Sequence, residues 1–173
     1  MKKFDYEVLS PIGLGIAKKT GTLKELLENI PYLMIHKIIP PLKVINYILQ
    51  TGKYDAGMSG GCTWEPFQIN NEEYEELTKS LIASDKKYTK DEPPDWVENY
   101  SEWHIWIMER LYDVPAEEHL RLTKEYSRLE KLRKEAHENG DSTLTIDLHL
   151  KAIQAGNELS EYFMKHLKRK NSN

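Results

Sequence analysis

A single cysteine, Cys62, is all the thiol chemistry this chain holds. That excludes an intramolecular disulfide and any cysteine-based zinc site. Long apolar runs are also missing. The richest stretch, Ile30 to Leu49, is broken by Pro31, His36, Lys37, Pro40, Pro41, Lys43 and Asn46, too often for a membrane span. The opening Met1-Lys2-Lys3-Phe4-Asp5-Tyr6-Glu7 sets acidic residues where a secretory signal needs an apolar core. These features predict a soluble, cytoplasmic protein that does not engage a membrane. Internal repeats and low-complexity tracts are lacking. So are Glu-x-x-His pairs, His-x-x-x-His and HExxH, while Glu135/His137 and Asp147/His149 are spaced to point to different sides of a helix. No metal and no cofactor is implied.

What is present describes an ordinary globular chain. Its 173 residues are 39% apolar and 30% charged, enough to bury a core without a metal or disulfide staple. Charge is uneven: residues 1–69 carry a net +2, residues 70–118 a net −9 and residues 119–173 a net +3, which recovers the overall −4. An acidic middle with no dominant basic face argues against nucleic acid, whose phosphates demand concentrated positive charge.

Local signals place the elements. Phe4 to Leu9 reads as a strand closed by Ser10-Pro11 and a turn bearing Gly13 and Gly15. Thr22 and Glu25 form a capping box ahead of Leu23, Leu26, Leu27 and Ile30. Residues 32–39 are compatible with either strand or helix. A helix starts at Pro41, buries Leu42, Ile45, Ile48 and Leu49, and stops before Gly52. After a glycine-rich loop, Phe67-Gln68-Ile69 reads as a brief strand. Asn70 and Glu73 then cap a helix that turns Tyr74, Leu77, Leu81 and Ile82 inward. The polar stretch Ser84 to Pro94 reads as a hinge.

Three helices are expected beyond it. The first, from Asp95 to Asp113, carries Trp96, Trp103 and Trp106; Trp106 lies off the main apolar stripe. The second opens at Pro115, runs to Gly140 and buries Leu122, Tyr126, Leu129, Leu132 and Ala136. The third begins with TLTIDLHL (143–150), whose strict alternation is a strand signal. Helix is favoured there because Leu148, Leu159, Tyr162, Phe163 and Leu167 continue at helical spacing, and Gly140-Asp141-Ser142 suits a helical hairpin. Basic residues from Lys165 to Lys170 complement its C-terminal dipole.

The loop 52–67 is the most distinctive segment. From Gly52, GKYDAGMS approaches a phosphate-binding loop, but Met58 stands where the lysine belongs and a helix precedes it where a strand is required. Gly13-Leu14-Gly15 opens like a dinucleotide fingerprint, with Lys18 in the place of the third glycine. Cys62 would need a base and a lowered pKa to act as a nucleophile, and lone intracellular cysteines are most often small buried hydrophobes. Tryptophans at helical spacing are most often core.

The sequence therefore predicts an α+β, predominantly α protein. A small mixed lobe, residues 1–84, would pack on an array of three long helices, residues 95–170. The expected function is a non-enzymatic binding or regulatory protein acting through a protein surface, with a protein partner or a second copy as homodimer. Ser59, Gly60, Gly61, Trp64 and Trp106 are the candidate binding residues. The alternative is a small-molecule enzyme walled by loop 52–67 and helix 95–113, with Cys62, Glu65 and Asp55 as weak catalytic candidates beside Ser59.

Overall fold

A computed structural model of the chain describes residues 2–11, 15–34, 36–55 and 60–167. Helix makes up 60% of them, with a small antiparallel sheet in the N-terminal part and three long helices in the C-terminal part. The architecture is α+β, predominantly α. Residues divide into two compact units, Met1–Trp103 and His104–Asn173. No helix among the described residues is long and apolar enough to cross a membrane.

In the first unit, β1 (Lys3–Leu9) pairs with β2 (Ile16–Thr22). Helices α1 (Leu23–Glu28) and α2 (Pro31–Met34), strand β3 (Ile38–Ile39) and helix α3 (Leu42–Thr51) follow. β4 (Lys53–Asp55) and β5 (Gly61–Trp64) lead to α4 (Asn71–Ser84) and β6 (Thr89–Lys90). The four-stranded sheet runs β2-β1-β5-β4, antiparallel throughout, and β3 pairs with β6 in a separate parallel pair. Of residues 32–39, residues 32–34 thus belong to a short helix and Ile38–Ile39 to a two-residue strand.

Both predicted capping boxes form. Thr22 Oγ1 accepts from Glu25 N at 3.3 Å while Glu25 Oε2 accepts from Thr22 N at 2.6 Å. At α4 the distances are 2.9 Å to Asn70 Oδ1 and 3.0 Å to Glu73 Oε2. Each box satisfies two orphan amides at once. Behind the caps, Leu26, Leu27, Ile30, Ile39, Ile45, Leu49 and Leu81 are fully buried. Gly52 ends α3 in the left-handed region, φ 67°, the conformation glycine adopts without a Cβ penalty.

Some expectations change. Ile82 is exposed, since Tyr74, Leu77, Thr78 and Leu81 already fill the buried face of α4. Phe67-Gln68-Ile69 is not a strand. The Asn46 side chain takes the place of a neighbouring strand there: its Nδ2 donates to Ile69 O at 3.0 Å and its Oδ1 accepts from Ile69 N at 2.9 Å. The helix expected from Asp95 starts later, as α5 (Tyr100–Leu111). Asn99 Oδ1 accepts from Glu102 N at 3.0 Å, and the Glu102 carboxylate accepts from Glu98 N at 2.9 Å. This is a variant of the same N-terminal motif, legible as N-x-x-E.

In the second unit, α6 (Ala116–Glu138) and α7 (Ser142–His166) form a hairpin. The alternating stretch 143–150 is helical, as the longer-range spacing predicts. Asp141 caps it, its side chain accepting from Leu144 N at 3.0 Å, as Asp does in place of a missing intrahelical acceptor. Leu129, Ala136, Leu148, Ala152 and Ala155 form the hairpin core, with Leu132 packed beside them. Alanines on α7 let the two helices approach closely, and Gly156 does the same against the Tyr126 ring, where a Cβ would come within 3.3 Å. Tyr126 itself, expected in the stripe, is more than a third exposed. Glu–Arg pairs three residues apart run along α6: Glu118–Arg121 at 2.6 Å, Glu125–Arg128 at 2.8 Å and the half-buried Glu130–Arg133 at 3.0 Å.

Candidate functional site

Alternation along the strands sorts the sheet residues onto two faces. Tyr6, Cys62 and Trp64 lie on one face and are buried. Asp5, Glu7, Lys18, Thr20 and Thr63 lie on the other, where Asp5 pairs with Thr20 and Glu7 with both Lys18 and Thr63. Thr20 Oγ1 donates to Asp5 at 2.5 Å, and Lys18 Nζ stands 3.8 Å from Glu7. Above this face opens a cleft of about 750 Å³, lined by residues of β1, β2 and β5 together with Glu65 and Pro66.

The structure separates the sequence-predicted catalytic candidates. Cys62 is fully buried within the sheet, and desolvation pushes its thiol up to about 11, only partly opposed by Lys19. A thiol held protonated in this way is poorly nucleophilic. Glu65 is exposed and lines the cleft from just past the end of β5. Asp55 lies opposite Gly61 at the edge strand β4. Ser59 lies outside the described residues, as do Met58, the Gly13-Leu14 turn and the basic residues Lys168 to Lys170.

Of the predicted binding residues, Gly60, Gly61, Trp64 and Trp106 each have a place in the packing of the fold. Gly60 has φ 98°, and a Cβ there would come within 2.5 Å of the Leu9 carbonyl oxygen. At Gly61 the clash would be with the Tyr54 carbonyl at 2.6 Å. Both glycines allow backbone to approach backbone, which accounts for them without an anion. Trp64 is 7% exposed; its Nε1 donates to Leu49 O at 2.9 Å and its backbone N to Gly52 O at 2.8 Å. Trp106 is buried to the same degree, with the Arg110 guanidinium 5.4 Å from its ring centroid.

Among the described residues no group of three or more His, Cys, Asp or Glu is placed to hold a metal ion. One buried titratable group stands out in the second unit. His119 on α6 is 6% exposed and its Nδ1 meets no hydrogen-bond partner among the described residues. The rings of Phe163 and Tyr162 lie 5.8 and 6.4 Å away. Burial, with a smaller contribution from His104, lowers its pKa to about 4. Extending the α6 stripe back three residues from Leu122 reaches His119 in the sequence.

A second feature of that unit is a surface. Of the ten large hydrophobic residues exposed among the described residues, six lie in α7 or at its C-cap: Leu144, Ile146, Leu150, Ile153, Met164 and Leu167. They crowd one helix, so the exposure is a patch and not scatter. Ile146, Leu150 and Met164 are each more than 60% exposed, on the side of α7 opposite Leu148, Ala152 and Ala155.

Comparison with known proteins adds no relative to this geometry: no family model, no curated protein and no solved structure matches the chain.

Proposed function

We propose that this chain is a non-enzymatic binding protein whose working surface is the outer face of α7. The observation that carries the reading is the concentration of exposed aliphatic side chains there, opposite the face that packs on α6. Leaving several large aliphatic groups in water forfeits roughly 1.5–3 kcal/mol each relative to full burial, and a partner that covers them recovers much of that. The buried, protonated Cys62 and the separation of Cys62 from Glu65 weigh on the same side. Cytoplasmic location and a protein partner belong to this reading.

The test is a photocrosslinking residue placed in the full chain in its native host. Position 150, on the α7 face, is expected to give discrete protein adducts, whereas position 63, on the polar sheet face, gives none. Adducts at 63 with none at 150 would overturn the proposal.

The cleft over the sheet supports a second reading, a small-molecule site. Its mixed lining of Asp5, Glu7, Lys18 and Glu65 fits a polar, zwitterionic compound better than an apolar one. On that reading Glu65→Gln and Lys18→Ala weaken the thermal stabilisation given by such a compound; on the leading reading no compound of this class stabilises the protein.

A further inference from the structure

The surface reading above can be taken further, to the occupant. Ile146, Leu150, Ile153, Asn157, Ser160 and Met164 follow one another along α7 at steps of four, three, four, three and four residues, and Leu167 closes the series three residues on. All are exposed. This is a heptad seam with Leu150, Asn157 and Met164 at a positions and Ile146, Ile153, Ser160 and Leu167 at d positions. A strip kept at 3.5 residues per repeat stays continuous only when its helix supercoils around another helix with the same repeat.

Within the chain α7 already has its intramolecular partner. Leu148, Ala152 and Ala155 face α6 from the far side, at c and f positions, and the exposed side of α6 is polar, with Lys124, Ser127, Lys131, Lys134 and Glu138 along it. The strip that matches the bare seam of α7 is another α7. Asn157 sets the alignment. In a parallel, in-register pair each a position meets its own copy, so the Asn157 amides donate to and accept from each other in place of water. An antiparallel pair sets a against d. The antiparallel register that spares Asn157 an apolar neighbour sets it opposite Ser160. That register carries Ile146 opposite position 171, beyond the helix C-cap at Leu167. The flanks agree with the parallel arrangement, in which His149 faces the partner subunit's Gln154, with no like charges opposed.

We propose that α7 of one copy pairs with α7 of a second copy, parallel and in register, with Asn157 facing Asn157 across the seam. The inference rests on the α7 surface being the working one.

Sedimentation equilibrium of the full chain is expected to give twice the 20.3 kDa chain mass. Leu150→Glu combined with Ile153→Glu is expected to weaken association more than tenfold, with the circular dichroism of the wild type retained. Ile146→Cys, oxidised in the otherwise wild-type chain, is expected to form a covalent dimer by itself, and the wild type, whose Cys62 is buried, none. The Ile146→Cys result stands even if the charged double variant fails to fold. A single-chain mass, three or more copies, or a cross-link seen only when Ile146→Cys is mixed with Met164→Cys would overturn the proposal. A single-chain mass accompanied by adducts to other proteins at position 150 would overturn the second copy alone and leave the surface reading standing.

Discussion

The indole of Trp64 and the carbonyl of Leu49 form a buried hydrogen bond of 2.9 Å between β5 and α3. With the backbone bond from Trp64 N to Gly52 O at 2.8 Å, it ties the end of the glycine-rich segment to the helix that precedes it. Trp64→Ala is expected to cost about 3–5 kcal/mol, as removal of a buried indole does. Trp64→Phe keeps much of the packing but leaves the Leu49 carbonyl only the longer 3.4 Å bond from Phe67 N, and is expected to cost about 0.5–1.5 kcal/mol. Urea denaturation of the two variants checks the order.

The Asn46 clamp on Ile69 yields a second expectation. Ile69 is buried, so Asn46→Ala strands both its amide and its carbonyl, at about 1–3 kcal/mol for each unsatisfied group. Asn46→Asp retains an acceptor for Ile69 N, and when protonated below pH 4 its hydroxyl can also donate to Ile69 O, so at that pH it is expected to lose less stability than Asn46→Ala. Thermal melts of the two variants at that pH decide it; equal losses would show that the hydrogen bonds retained by the carboxylic acid contribute nothing.

His119 makes the protein acid-sensitive. Its pKa in the fold is about 4, below the ordinary value of 6.5, so between those two pH values the unfolded chain binds the extra proton. The stabilisation from keeping the imidazole neutral is complete above about pH 6.5 and is lost as pH falls toward 4, by up to roughly 3 kcal/mol. His119→Leu removes this contribution. The expected result is a melting temperature that declines less between pH 7 and pH 5 in the variant than in the wild type; parallel declines would count against it.

Cys62 is expected to be inert in the native state. A buried thiol with a pKa near 11 carries very little thiolate at pH 8, so a disulfide reagent should modify it only as fast as the protein opens. Full, rapid labelling in denaturant with slow labelling without it is the expected result. Cys62→Ser places a hydroxyl where the thiol is fully buried. It is expected to cost about 1–3 kcal/mol, no more than Trp64→Ala.

Features decided within four residues of chain were legible in the sequence. The boxes at Thr22/Glu25 and Asn70/Glu73, the stop at Gly52 and the Asp141 restart are all local, and all form. β2 was not legible because IAKKTGT has no buried alternating set; it is held by its pairing with β1. β4 and β5 lay hidden in a stretch whose glycines suggest irregular backbone, although Gly60 and Gly61 are there so that neighbouring backbones can come together. The missed start of α5 was avoidable, since Asn99 and Glu102 spell the same motif that located the two boxes. Within the glycine-rich loop, Glu65 and Cys62 could not be sorted before the sheet faces were known, because three residues along a strand place two side chains on opposite sides. The α7 surface was partly visible: Ile146 and Leu150 stand off the Leu148 face in the sequence, whereas Leu144, expected with them, lies one turn before Leu148 on its own face, and Ile153 and Met164 became outward residues only once α6 was seen to occupy the other side.

The strand-like alternation at the start of α7 has a consequence for the chain before it folds. Residues 143–150 hold two opposed instructions, and the helical one depends on the Asp141 cap and on Leu148 reaching α6. A nascent or heat-opened chain in which α6 has yet to dock has only the short-range pattern to follow. An apolar, alternating segment of that length, free of proline and carrying a single carboxylate, is the kind that stacks with its own kind into extended ribbons. Docking of the hairpin is then a race against aggregation, and a chain that loses its hold on Leu148 would lose protein to insoluble material sooner than its melting point suggests.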